Sequence, residues 1–210
     1  IAKRADLAPG DRVRALAQRG IVELEDGKTE EAERSLRLAL GTYAAASEEE
    51  RLDDHFAAQA QFYLGEVYRE WFRSLPFDPS TGDDEALRRD LEQKAEMLLS
   101  AQGHYLRAIR MGNDRWAVAS GFRIGELYDE LRAGMLDASL PPGLDEEHAA
   151  AYRLELRRRV RVLAAKAITA YEQTLARAAR AGVDIKFLAD AQGSLERLKA
   201  ALAEDARPTL

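Results

Sequence analysis

The phrase Phe-x-aliphatic-Gly-Glu-aliphatic-Tyr-x-Glu occurs twice, as FYLGEVYRE at 62–70 and as FRIGELYDE at 122–130. Each copy sets a glycine inside a stretch of helical periodicity, where glycine costs about 1 kcal/mol against alanine. A cost taken twice in the same frame constrains the fold. It calls for two helices, each crossed so closely by another element that a β-carbon has no room.

The rest of the chain agrees with a helical reading. Almost every long segment repeats its apolar residues with a helical period, and nothing alternates as a strand would. Gly and Pro gather in APGD at 8–11, LPFDPSTGDD at 75–84, SLPPGLDEE at 139–147 and AGVD at 181–184. Between these stops the pattern predicts helices over 11–26, 29–46, 50–74, 84–111, 114–133, 146–180 and 185–204. Asp11 and Asp84 are placed to cap N-termini, Asp145 opens an acidic first turn, and Gly27 and Gly182 supply left-handed stops. The last helix carries Leu188, Ala191, Leu195, Leu198 and Leu202 on one stripe, as a helix closing a hydrophobic end would. The expected fold class is all-α.

Residues 16–40, LAQRGIVELEDGKTEEAERSLRLAL, carry the same device on a smaller scale. Gly20 lies in the first helix, Gly27 makes the turn, and Ala32, Leu36, Ala39 and Leu40 line the second. This spacing resembles the tetratricopeptide repeat, a helix–turn–helix unit of 34 residues with small residues at fixed crossings. In that frame Leu64, Gly65 and Tyr68, and again Ile124, Gly125 and Tyr128, resemble the Leu-Gly-x-x-Tyr core of the first repeat helix. Ala101, Tyr105 and Ala108 match the second helix. So do Ala167, Tyr171 and Leu175, although Thr174 stands where the second small residue belongs.

The resemblance implies a right-handed α-solenoid of antiparallel helix pairs, divided as one domain over 1–210. Its parts would be the end of a preceding repeat at 1–9, repeat 1 at 11–46, enlarged repeats at 50–111 and 114–181, and a capping helix at 185–204. The glycines at 20, 65 and 125 are spaced by more than 34 residues; the excess falls in the loops at 75–84 and 134–145 and in longer second helices. Similar enlarged repeats occur in multi-repeat envelope and motility scaffolds of gliding bacteria. The chain, which begins with Ile, is accordingly expected to be a fragment of a longer array. The resemblance also tilts its location toward the bacterial periplasm or cell envelope and its partners toward subunits of an envelope assembly.

In repeats of this type the first helices line a concave groove. The groove-facing positions here are Phe62, Glu66 and Arg69, then Phe122, Glu126 and Asp129, after Ala17, Ile21 and Leu24 in the first unit. The Lys and Asn clamp of chaperone-binding members is missing. A groove of this composition suits an apolar or mildly basic peptide, with Phe62 and Phe122 as anchors.

Other chemistry is sparse. The chain has 31 Lys and Arg against 37 Asp and Glu, a net charge of −6 that argues against nucleic acid as the main partner. Six of the basic residues are Lys, an Arg and Ala bias expected of a GC-rich bacterial genome. No cysteine is present, which removes thiol catalysis and disulfides. No apolar run approaches the ~20 residues of a membrane span. No phosphate loop, zinc-protease motif or nucleophile elbow occurs, and neither enzymatic activity nor a cofactor is expected.

Three features have functional alternatives. Glu66 with Glu70 and Glu126 with Glu130 are carboxylate pairs at i, i+4, but a di-iron bundle needs Glu-x-x-His twice. The chain offers only Asp145-x-x-His148. His55, His104 and His148 lack catalytic company and are expected at the surface or its boundary. RRRVR at 157–161 sets Arg153, Arg157 and Arg161 along one flank, a solvated face or a seat for an acidic protein. The expected function is a protein-interaction scaffold. A purely structural spacer or cap is the alternative, followed by a helical carboxylate metal protein.

Overall fold

The computed structural model describes residues 7–50, 54–184 and 186–205. They form α1 (Pro9–Glu25), α2 (Thr29–Ala45), α3 (His55–Ser74), α4 (Asp84–Arg110), α5 (Asp114–Asp137), α6 (Glu146–Ala181) and α7 (Phe187–Asp205). Short 3-10 turns occupy Glu48–Glu50 and Pro79–Thr81, and no strand occurs among the described residues. The class is all-α, as periodicity predicts. The predicted tail of a preceding repeat at 1–9 lies largely outside the described residues.

Local chemistry explains several helix ends and corrects two of them. α1 begins at Pro9 rather than at a capping Asp11, since the fixed φ of proline suits the first helical position and its missing N–H is no loss there. α4 is capped by Asp83, whose Oδ1 accepts from Ala86 N at 2.9 Å; Asp84 is already helical. Asp145 caps α6 by accepting from His148 N at 2.9 Å. Gly27 and Gly182 adopt φ of +76° and +63°, the left-handed stops expected of them. α5 runs four residues beyond its predicted end, through Gly134, and shortens the following loop.

The chain divides into two compact units. One comprises the described residues up to Phe72 with Met97–Ser120; the other comprises Arg73–Glu96 with the described residues from Gly121. Divisions therefore fall inside α3, α4 and α5, whereas the repeat frame places them in loops.

In the first unit, Val13, Leu16, Ala17, Ala32, Leu36, Ala39, Ala60, Leu64 and Val67 form one core. Burial of such a cluster is the main stabilising term, at roughly 25 cal/mol per Å² of apolar surface. Glycine sets how tightly the helices meet. A β-carbon on Gly20 would stand 2.6 Å from Leu36 Cγ, and one on Gly65 nearer still to the Tyr105 ring.

The second unit repeats the device with Gly125, whose β-carbon would stand 2.5 Å from Tyr171 Cε1. On the same two helices Ile124, Leu127, Val160, Ala164 and Ala167 are buried. α6 is continuous over 36 residues, about 54 Å at the usual rise. α7 buries Ala191, Leu195 and Leu198, the middle of its expected stripe.

Candidate functional site

The groove-facing residues of the first unit lie on α3, which is enclosed along most of its length. Phe62 is 4% exposed, and its ring meets those of Tyr63, Tyr105 and Trp116 at 5.3, 5.7 and 5.2 Å. Arg69 is 3% exposed and lies 3.9 Å from Glu66 Oε2. The hydroxyl of Tyr105 donates to Glu66 Oε1. Expectation and structure part here. Phe62 and Arg69 are interior residues, and Glu66 holds the ring that fills the Gly65 notch.

The second unit resolves in the same direction. Phe122 is 3% exposed and stacks on Phe187 of α7 with centroids 5.1 Å apart and planes 6° from parallel. Arg123 lies over both rings, at 5.7 and 5.0 Å, and donates to Glu126 Oε2 at 2.5 Å. Asp129 Oδ2 accepts from Arg197 of α7 at 2.5 Å, with Arg132 at 3.9 Å from its other oxygen. The contact raises the pKa of Arg197 above its ordinary value, chiefly through that hydrogen bond. Thus Phe122, Glu126 and Asp129, expected to face a partner, are engaged by their own chain. The sequence shows the stripe of α7 but not what the helix covers.

Tyr128 is a core residue at 6% exposure, whereas Tyr68 does more than fill a gap. Tyr68 is only partly buried; its hydroxyl donates to Glu33 at 2.7 Å and accepts from Arg37 at 2.8 Å, joining α3 to α2. Its ring stacks on His104, 5.2 Å away and 19° from parallel. His104 is 6% exposed, which overturns its expected place at the boundary, and its Nδ1 lies 2.9 Å from Gln61 Oε1. Burial first, then Arg107 and Arg37, push its pKa down to about 4, so the ring is neutral at ordinary pH. Nothing in AQGHYLRAI marks this histidine as interior, because its counterpart in AITAYEQTL is Ala170.

The carboxylate pairs do not assemble a centre. Glu126 pairs with Arg123, and Glu130 accepts from Arg73 at 2.5 Å. His148 and Asp145 lie 2.7 Å apart at the exposed start of α6, as a cap rather than a ligand pair. No group of three or more His, Asp and Glu among the described residues is placed to hold a metal ion. Between the end of α6 and the start of α7 lies an open cleft of about 570 Å³, lined by Leu175, Ala178, Val183 and Leu188 among others.

Of the expected contact residues, Arg153, Arg157 and Arg161 are the ones that face solvent. They lie on the first half of α6, beside the exposed Leu154 and Val162. No described helix is long and apolar enough to cross a membrane. No protein-family model matches the chain, and no curated protein matches it.

Proposed function

We propose that this chain is a non-catalytic interaction scaffold of the tetratricopeptide type, a right-handed solenoid of helix pairs closed by α7. The observation that carries the reading is one joint built three times. Gly20 meets Leu36, Gly65 meets Tyr105 and Gly125 meets Tyr171, each pair at a distance that excludes a β-carbon. A helix pair of that kind cannot bury its apolar face alone, and stacking neighbours is the usual way to do so. Such arrays present surface and perform no chemistry of their own. An envelope or motility assembly is the setting that the family resemblance implies.

Burial of Phe62 and Phe122 moves the contact surface from the groove to the exposed faces. Site-specific photo-crosslinking in the native cell tests this, with a photoreactive residue at Val22, Leu38, Leu154 or Val162, all at least 46% exposed. Discrete adducts with a different protein, absent when the reactive residue replaces buried Leu64, are expected. Adducts at none of the four positions would favour the spacer reading instead.

A further inference from the structure

The first half of α6 is half bare. From Glu146 to Leu163 it buries Ala149 and Val160, while Leu154 is 46% and Val162 56% exposed. Arg153, Arg157, Arg158 and Arg161 are exposed and form no ion pair with another described residue; Arg159 is the arginine of this run that pairs, with Glu155 at 2.9 Å. Seven residues before Leu154, about 10 Å along the helix, stands exposed Glu147; seven after it stands Arg161. At 100° per residue these three lie within about 20° of one line. Ala150 and Ala151 flank the line on the acidic side, and Arg157 and Arg158 flank it on the basic side.

We infer that this face docks a second copy of the chain, α6 against α6, antiparallel and centred on Leu154. The face is self-complementary only in that sense. A two-fold axis at Leu154 sets Glu147 of each copy opposite Arg161 of the other, twice in one contact. The small Ala150 and Ala151 leave room for Arg157 and Arg158 to reach the acidic first turn of the partner copy. A parallel pairing sets arginine on arginine and is repelled. Nucleic acid suits the face less well, since Leu154 and Val162 would meet phosphates and Glu146, Glu147 and Glu155 would oppose them. An anionic membrane gains little from two separated apolar side chains.

The footprint, about 30 Å by about 10 Å, is well below the ~800 Å² per partner of a standard interface. The dimer is therefore weak and concentration-dependent. It rests on α6 alone and stands whether or not the scaffold reading does.

Sedimentation velocity of the whole chain, from roughly 5 to 500 µM, tests the pairing. The mass is expected to double toward the upper end and to revert in ~1 M salt, where the Debye length is about 3 Å. Glu147→Arg and Arg161→Glu should each remain monomeric with unchanged circular dichroism. An equimolar mixture of the two should dimerise again, because every facing pair is then of opposite sign; so should the double variant. A monomeric wild type overturns the pairing, as does a dimer indifferent to both substitutions. A monomer that pellets with phosphatidylserine vesicles also overturns it, in favour of a lipid surface. Cellular adducts at Leu154 with a different protein, alongside a monomeric chain, would keep the scaffold reading and remove this one.

Discussion

The hydroxyl of Thr174 occupies the space that a β-carbon on Gly121 would need. Thr174 breaks the small-residue pattern of the second repeat helix, and Gly121 on α5 absorbs the break. The corresponding pair in the first unit is Gln61 and Ala108, so bulk has moved from one helix to the other. The hydroxyl satisfies itself by donating to Ala170 O at 2.7 Å within α6.

This exchange predicts strong coupling between the two positions. Gly121→Ala alone should destabilise by roughly 1–3 kcal/mol through overpacking. Thr174→Ala alone should cost about 1 kcal/mol or less, because the lost volume is small and alanine favours the helix. The double variant should recover most of the loss, a non-additivity readable in urea midpoints.

At Gly65 and Gly125 the neighbour is a ring that cannot yield. Tyr105 and Tyr171 are buried to 1% exposure or less. Alanine at either glycine should cost about 1–3 kcal/mol despite its better helix propensity. Thermal melts of the two single variants check this; a rise in Tm at either would contradict the joint.

Phe62→Ser and Phe122→Ser are expected to act on folding before they act on binding. Truncating a buried phenylalanine typically costs about 3–5 kcal/mol, and a buried hydroxyl adds to that. Both should lower the melting temperature and the helical signal together. A variant that melts like the parent would return these residues to the surface.

His104 gives the protein an acid-sensitive point. Its folded pKa of about 4 lies below the ordinary 6.5, so the unfolded chain binds a proton that the folded chain refuses. Above pH ~6.5 both states are neutral and the burial is harmless. As pH falls from there toward 4, stability is lost, by about 2 kcal/mol at pH 5. Urea midpoints at pH 7.5 and 5 should differ more in the wild type than in His104→Gln, which cannot titrate.

The helices and their glycine joints were legible because periodicity and a misplaced glycine are local signals. Helix ends were legible to within a few residues, and the misassigned cap shows why: in Asp83-Asp84 either carboxylate can serve, and only backbone geometry chooses. Burial of Phe62, Arg69 and Phe122 was not legible. The repeat frame says which face of a helix meets its own partner, whereas Phe62 packs on Trp116, Phe122 on Phe187, and Asp129 is held by Arg197, all far along the chain. The arginines of α6 keep their predicted place, since a dense charged run on one helix flank has no apolar neighbour there to bury it.

The unbroken course of α6 has a mechanical consequence. Tyr171, seated in its notch at Gly125, is 25 residues from Glu146, about 38 Å along one stiff rod. A tilt of ~5° about that seat would carry the first turn of α6 through about 3 Å. The arginine face is thus the far end of a lever whose fulcrum is a tyrosine ring, and a pull on its tip would be felt as torque where that ring meets glycine.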